Sequence, residues 1–171
     1  VIPDMIGHAD RRLAAGHPEV IEELAEVMAE PLLDGGAYQA DECFDFRLIT
    51  YRMPEVYCTT GNNLPSLRRR RQYNPALMNH DDMTRLSLSH EDLVTIESAH
   101  GRIEAIVEGS DRLAPGTVGL AHGWGDPADD RPTREKGSNV QALIPRDVNY
   151  DKITGLAQQS AFPVNILPSS R

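Results

Sequence analysis

Polar side chains that suit phosphate or amide chemistry follow one predicted strand. Residues Phe46–Arg52 alternate between apolar and polar types, which predicts a strand ending on Thr50, Tyr51 and Arg52. An arginine at a strand end can make charge-assisted hydrogen bonds to a pyrophosphate. Threonine and asparagine side chains in the loop that follows can pair with the amide-like edge of a ring. The alternative is an ordinary polar loop with Arg52 in a surface ion pair.

A second candidate ligand surface is the loop His122–Gly125, in which two glycines flank the single tryptophan of the chain. Glycine lets a backbone approach a flat ligand closely. The Trp124 indole can cover an aromatic ring or donate its N–H, and His122 can donate or accept. The alternative is that Trp124 is a buried core residue and His122 a satisfied loop histidine.

The stretch Asn79–Gly125 contains the elements that must position these loops. Asn79 can cap a short helix, whose apolar side carries Met83 and Leu86. The alternation within Asp92–Ser98 predicts a half-buried strand, and a turn at Gly101, predicted to take positive φ, leads to a second strand. Pro115-Gly116 suits a type II turn before a third strand.

An N-terminal extension precedes this part of the chain. Residues Pro18–Leu33 predict a helix with an apolar stripe of Val20, Leu24, Val27 and Met28. Gly35-Gly36 is expected to end this helix, and Val1–Gly16 has no clear periodicity. We therefore expect two units, an extension over residues 1–45, as the tail of a preceding domain, and a domain over residues 46–171.

The order and spacing of several motifs resemble one enzyme family. The motifs are Asn79 with Asp81-Asp82, Glu91-Asp92-Leu93-Val94, Gly101 in its turn, Ser110-Asp111-Arg112, Pro115-Gly116 and His122-Gly123-Trp124-Gly125. Together they resemble the C-terminal cofactor-binding domain of the molybdopterin oxidoreductases. That group includes formate dehydrogenases, nitrate reductases and dimethyl sulfoxide reductase.

The resemblance implies a set of residues that bind the pterin cofactor. Thr50 and Arg52 match a Thr-x-Arg pattern, although Tyr51 stands where many members have glycine. Asn139 matches the first residue of an Asn-x-Asn pattern, and Gln141 replaces the second. The implied cofactor-binding residues are Thr50, Tyr51, Arg52, Glu55, Thr59, Asn62, Asn63, His122, Gly123, Trp124, Asn139, Gln141 and Ser160.

The resemblance also implies a fold and a function. The expected fold is mostly β with short helices, a double-psi β-barrel preceded by a helical extension. The expected function is to hold molybdopterin guanine dinucleotide with Mo or W, in a parent similar to formate dehydrogenase or nitrate reductase. The metal ligand and any iron–sulfur cluster would belong to upstream domains of the same polypeptide, so the fragment alone is expected not to be catalytic. Cys58 is then expected to be a loop thiol.

Composition excludes some classes of protein. The chain has 171 residues and a formal net charge of −9, which argues against a nucleic-acid partner, because phosphate binding requires a positive surface. No apolar run approaches membrane-spanning length. Cys43 and Cys58 are expected to be free thiols, which favours the cytoplasm. An export signal of the parent would lie before Val1.

Two other functions stay open at this point. One is a stand-alone β-barrel that binds a ligand or protein without metal. The other is a self-processing decarboxylase-like barrel, since Gly109-Ser110 resembles the self-cleavage pair of aspartate decarboxylase, although Ser110 also suits an ordinary turn. The arginine run Arg68–Arg71 is expected to be solvated or to face another domain.

Overall fold

The computed structural model describes residues 16–29, 43–62, 64–145 and 147–169, except the Arg68 side chain. The helices are α1 Pro18–Ala29, α2 Pro65–Arg68, α3 His80–Arg85 and α4 Thr133–Lys136, with a 3-10 helix at Val140–Leu143. The strands are β1 Phe46–Tyr51, β2 Ala76–Met78, β3 Leu93–Glu97, β4 Arg102–Gly109, β5 Thr117–Ala121 and β6 Phe162–Pro168. The predicted lead-in before residue 16, helix residues 30–33, the Gly35-Gly36 helix end and Asn63 lie outside the described residues.

The six strands close into a barrel in the order β1-β5-β2-β4-β3-β6. Two neighbouring pairs, β1 with β5 and β2 with β4, are parallel, and the other four are antiparallel. The prediction of a mostly-β barrel with short helices is therefore confirmed. β2 and the short helices α2 and α4 are elements that the sequence did not predict.

Strand alternation fills the barrel interior with aliphatic side chains. On β3, Val94 and Ile96 are fully buried while Thr95 between them is half-buried, as their spacing predicts. On β4, Ala105 and Val107 are buried as predicted, and Ile106 between them is buried as well. Other fully buried core residues are Leu48, Met78, Val118, Leu120, Phe162 and Val164.

The α3 cap and the turn before β5 form as predicted, and they are joined. Asn79 Oδ1 accepts the Asp81 N–H at 2.9 Å. Gly116 has φ +79°, and its N–H donates to the buried Asp82 carboxylate at 2.7 Å. Asp82 therefore links the start of α3 to the turn that precedes β5.

The predicted positive φ at Gly101 is wrong, because Gly101 is not among the glycines with positive φ. It is needed for a different reason. A Cβ there would collide with the carbonyl oxygen of Ala142, so Gly101 lets the β3–β4 hairpin approach the 3-10 helix.

α1 forms at the predicted start, and its apolar stripe is exposed within the described part of the chain. Val20, Leu24 and Val27 are between 42% and 52% exposed, and no residue of the helix is buried. Its contacts to the remaining described residues include Glu23 and Glu26 with Lys152. None of the helices in the described ranges combines the length and apolar composition needed to cross a bilayer.

Candidate functional site

Two loops meet at one end of the barrel because the strands that deliver them are parallel neighbours. Tyr51 at the end of β1 lies beside Ala121 at the end of β5. The chain therefore enters the loops Arg52–Asn62 and His122–Gly125 at the same edge of the sheet. This arrangement places most of the predicted site residues together.

Glycines pack these loops against one another. Gly123 has φ +87°, and a Cβ on it would lie 2.9 Å from the Thr59 amide nitrogen. Gly125 has φ +70°, and its Cβ would lie 2.5 Å from the Asn139 amide nitrogen. The sequence suggested that these glycines admit a flat ligand, whereas the structure uses both for contact with neighbouring protein backbone.

Asn74 fixes a third segment, Gly137–Gln141, to the end of β5. Its side chain is fully buried, and its Nδ2 donates to the carbonyls of Ala121 and Ser138 at 2.6 and 3.0 Å. Its Oδ1 accepts the Ser138 N–H at 2.7 Å. Sequence analysis missed Asn74, because its partners are distant in the chain and no local pattern marks them.

The three segments, together with residues 126–136, line an open cavity of about 430 Å³ at the loop end. Six of the predicted cofactor-binding residues line it, and these are Thr59, Asn62, Gly123, Trp124, Asn139 and Gln141. Its volume falls within the ~300–1,000 Å³ that is usual for small-molecule sites. The cavity therefore brings together residues that lie far apart in the sequence.

Three buried polar atoms at this end have no hydrogen-bond partner within the described part of the chain. They are Asn62 Oδ1, His122 Nδ1 and Trp124 Nε1. Asn62 Nδ2 donates to the Gly123 carbonyl, which fixes the orientation of the amide and leaves its oxygen unpaired. Because a buried polar atom without a partner is costly, these atoms are suited to a polar ligand.

Trp124 is a buried residue and a cavity-lining residue at once. It is 5% exposed and packs in a cluster with Met53 and Ala121. It also lines a second, small cavity together with Arg52, Cys58 and His122. Trp124 and Arg52 therefore lie at the same end of the barrel.

Several other predicted residues make contacts within the protein. Tyr51 donates its hydroxyl to the Pro75 carbonyl at 3.1 Å, and burial raises its pKa. Asn139 Oδ1 accepts the Gln141 N–H and so caps the 3-10 helix. Gln141 Nε2 donates to Gln159 Oε1 at 3.1 Å.

The remaining predicted residues lie further from the 430 Å³ cavity or outside the described chain. Thr50 is half-buried within β1, beside Leu120 of β5. Glu55 lines two grooves that also include Arg52. Ser160 is exposed and follows Gln159. Asn63 lies outside the described residues.

The cavity also carries charged residues that sequence analysis did not select. The segment 126–136, between the Trp124 loop and Gly137, ends in the short helix α4. Arg131 and Lys136 from this segment line the cavity with Asp126 and Asp129. A side-chain hydrogen bond from Arg131 lowers the pKa of Asp129 to about 2. A short run of alternating charges gave no signal that distinguished these residues from a solvated loop.

The run Arg68–Arg71 was expected to be solvated or to face another domain, but Arg71 pairs within the barrel. Its guanidinium pairs with the buried Glu108 carboxylate through two bonds of 2.7 and 3.0 Å. Tyr73 donates its hydroxyl to the same carboxylate at 3.0 Å. Arg69 and Arg70 are exposed, as expected.

Neither a metal cluster nor a disulfide occurs in the described ranges. Groups of three or more His, Cys, Asp or Glu side chains close enough to hold a metal ion are absent there. Cys43 is exposed and Cys58 half-buried, and neither forms a disulfide.

Comparison with known proteins agrees with the barrel fold. Residues 46–161 match the profile of the Molydopterin dinucleotide binding domain. Among solved structures, acetylene hydratase from Pelobacter acetylenicus shares the fold, with a TM-score of 0.63 and 19% identity. The match covers 74% of this chain and 19% of that chain. A search of curated proteins found no match. Because the profile covers more than half of the chain, this protein belongs to the molydopterin dinucleotide binding domain family.

Proposed function

We propose that this chain is the C-terminal domain of a molybdenum or tungsten oxidoreductase and holds molybdopterin guanine dinucleotide at the loop end of its barrel. One observation carries the proposal. Asn62 and Trp124 line the cavity, and the buried atoms Asn62 Oδ1 and Trp124 Nε1 have no hydrogen-bond partners among the described residues. Guanine and pterin rings present amide donors and acceptors that complement such atoms.

The residues at the loop end fit the parts of such a cofactor. Asn62 would accept from a ring N–H, and Trp124 would donate to a ring or sugar oxygen. Arg52 is exposed, and its Nη1 donates to Cys58 Sγ over a long 3.8 Å, a weak contact that its guanidinium would exchange for the pyrophosphate. We include Thr50, Tyr51, Glu55, Asn63, His122 and Ser160 as members of the same binding surface.

The cofactor, when bound, would supply a redox-active metal held by its dithiolene sulfurs. The protein would supply orientation, hydrogen bonds and exclusion of water. We infer a parent similar to formate dehydrogenase or nitrate reductase, with the metal ligand and any iron–sulfur cluster in upstream domains. The two parallel strand pairs of the barrel support its description as double-psi.

Substitution of Arg52 in the full-length parent tests this function. Arg52→Ala removes a charge-assisted contact worth about 2 kcal/mol, so molybdopterin and metal content should fall while the barrel stays folded. Arg102→Ala is the matched control, because Arg102 is an exposed arginine that pairs with Glu97 in the β3–β4 hairpin. Equal cofactor content in the two purified variants and the unmodified parent would contradict the proposal.

A further inference from the structure

Two cations of the 430 Å³ cavity have no role in the function proposed above. Arg131 and Lys136 lie on its wall, on the segment that connects the Trp124 loop with Gly137. The Gly125 N–H donates to the Lys136 carbonyl at 3.0 Å, so the cationic segment is tied directly to the Trp124 loop. The two cations therefore belong to the same site as the unpaired atoms of Asn62 and Trp124.

The Arg131 donors are arranged around a single two-oxygen anion, the Asp129 carboxylate. Arg131 Nε lies 2.9 Å from Asp129 Oδ1 and 3.0 Å from Oδ2, and Nη2 donates to Oδ2. The Arg131 main-chain N–H donates to Oδ1 at 3.0 Å. A guanidinium fork together with a backbone N–H also matches the oxygens of a phosphate.

Lys136 brings a second positive charge to the same residue. Its Nζ donates to the main-chain carbonyl of Asp129 at 2.6 Å. The ammonium is thus held beside the Asp129 carboxylate and has donors left for a second acceptor.

Asp129 is one of two carboxylates that balance the two positive charges on the cavity wall. Asp126 and Asp129 offset Arg131 and Lys136 on the wall. The Arg131 side chain is 42% exposed and that of Asp129 is 21% exposed, so solvent reaches their ion pair. An exposed ion pair of this kind adds little to stability, so its loss on anion binding should cost the fold little.

A separate observation supports a ligand at this end of the barrel. Trp124 is 5% exposed and lines the cavity, and its Nε1 is buried without a partner among the described residues. The orphaned donor lies on a different loop from the cations, so the two features are independent.

We propose that Arg131 and Lys136 form a phosphate-binding part of this cavity, and that the Asp129 carboxylate is a competing anion which a nucleotide phosphate displaces. The inference rests on the proposed function for the nucleotide part of the ligand. The phosphate chemistry rests on the Arg131 donor geometry. Displacement rotates Asp129 away from the fork and leaves the cavity wall with a net positive charge.

Calorimetric titration of the chain with guanosine diphosphate and with inorganic pyrophosphate tests the proposal. Asp129→Asn removes the competing charge, so it should tighten binding of both probes by roughly threefold to tenfold. Arg131→Gln should weaken both by about tenfold or more, and Lys136→Gln should weaken them in the same direction. Thermal unfolding of each variant shows whether the barrel is intact.

Asp130→Asn is the matched control for net charge. Asp130 is exposed and adjacent in sequence, and its substitution changes the formal charge by the same amount. Asp129→Asn should tighten binding substantially more than Asp130→Asn. An equal effect of the two variants, or weaker binding by Asp129→Asn, overturns the inference.

The two probes separate this inference from the proposed function. If guanosine diphosphate binds and Arg131→Gln leaves its affinity unchanged, the nucleotide site stands and the phosphate assignment is overturned. If both probes bind through Arg131 with equal affinity, the phosphate assignment stands and the nucleotide part of the proposed function fails. Absence of binding by either probe, including to Asp129→Asn, overturns the inference.

Discussion

Glu108 is a nearly fully buried carboxylate on β4 that the protein stabilises with two partners. Arg71 binds it through two hydrogen bonds, and Tyr73 donates to one of the same oxygens. A buried charge is costly unless it is paired and hydrogen-bonded, and both conditions are met here. The contact also ties the segment before Asn74 to the barrel wall, so Glu108 indirectly helps to position the Asn74 side chain.

The Tyr73 hydroxyl should make stability fall at high pH. Burial, and then its hydrogen bond to Glu108, raises the pKa of Tyr73 to about 12, against about 10 in an unfolded chain. The stabilising effect is therefore complete below about pH 10 and is lost as pH rises towards 12, because the unfolded state releases its proton first.

Urea unfolding between pH 8 and pH 11.5 checks this expectation. Tyr73→Phe should show a shallower fall in the free energy of unfolding above pH 10 than the unmodified chain. Some fall should remain, because burial also raises the pKa of Tyr51. Parallel profiles for the two proteins would show that Tyr73 titrates equally in both states.

At the scale of elements, the loops of the candidate site are assembled by close backbone contacts. Gly125→Ala forces a side chain into positive φ and places its Cβ 2.5 Å from the Asn139 amide nitrogen. Gly116→Ala is a matched control, because Gly116 also has positive φ, +79°, but its Cβ would meet nothing within 4 Å. The comparison separates the steric cost of the Cβ at position 125 from the cost of placing alanine at positive φ.

Gly116→Ala should lower the free energy of unfolding by about 1 kcal/mol, the usual cost of alanine in this conformation. Gly125→Ala should cost at least ~2 kcal/mol more, because backbone atoms cannot move aside as a flexible side chain can. Thermal or urea unfolding measures both. Trp124 fluorescence should change in Gly125→Ala and remain unchanged in Gly116→Ala. Equal costs would show that the Gly125 contact is easily relieved.

Elements with a strong local signal could be predicted from the sequence, whereas those defined by distant contacts could not. The alternation around Val94 and Ile96 and the turn at Gly116 identified β3 and the start of β5. β2 has three residues, too few to show a period, and it exists because β4 and β5 pair with it. Gly101 was assigned to a turn by its local context, although its role depends on Ala142.

The candidate site shows the same difference between residues with a local sequence signal and residues defined by distant contacts. Asn62 and Trp124 could be selected as candidates because their motifs are contiguous in the sequence and match a family pattern, and both line the 430 Å³ cavity. Asn74 and Arg131 were not found, because their roles depend on Ser138 and on the cavity wall, which only the folded chain brings together. A family pattern selects residues within a contiguous loop motif, whereas the residues that hold the loops in place carry no such pattern.

Over the whole molecule, α1 and the barrel should respond differently to substitution. No residue of α1 is buried in the described ranges, so Leu24→Pro should break the helix while the barrel's free energy of unfolding changes by less than ~0.5 kcal/mol. Ile96→Ala in the barrel core should cost about 2–5 kcal/mol.

Circular dichroism reports the helix loss in Leu24→Pro, and near-ultraviolet signals from Trp124 report the barrel. A loss of more than about 2 kcal/mol in barrel stability would show that α1 and the barrel form one cooperative unit.

The strand order of the barrel also determines when the protein can finish folding. Of the six described strands, β3 and β4 form the one pair adjacent in both sequence and sheet. β1 cannot form its sheet pairs until β5 and β6 have been synthesised, since Arg47 pairs with Thr117 of β5 and with Pro163 of β6. During synthesis β1 therefore emerges long before either partner strand. Its pairing with them costs the conformational entropy of closing a long loop. The β3–β4 hairpin is the natural nucleus. The last of the described strands in the chain, β6, closes the cylinder by covering the open edges of both β1 and β3.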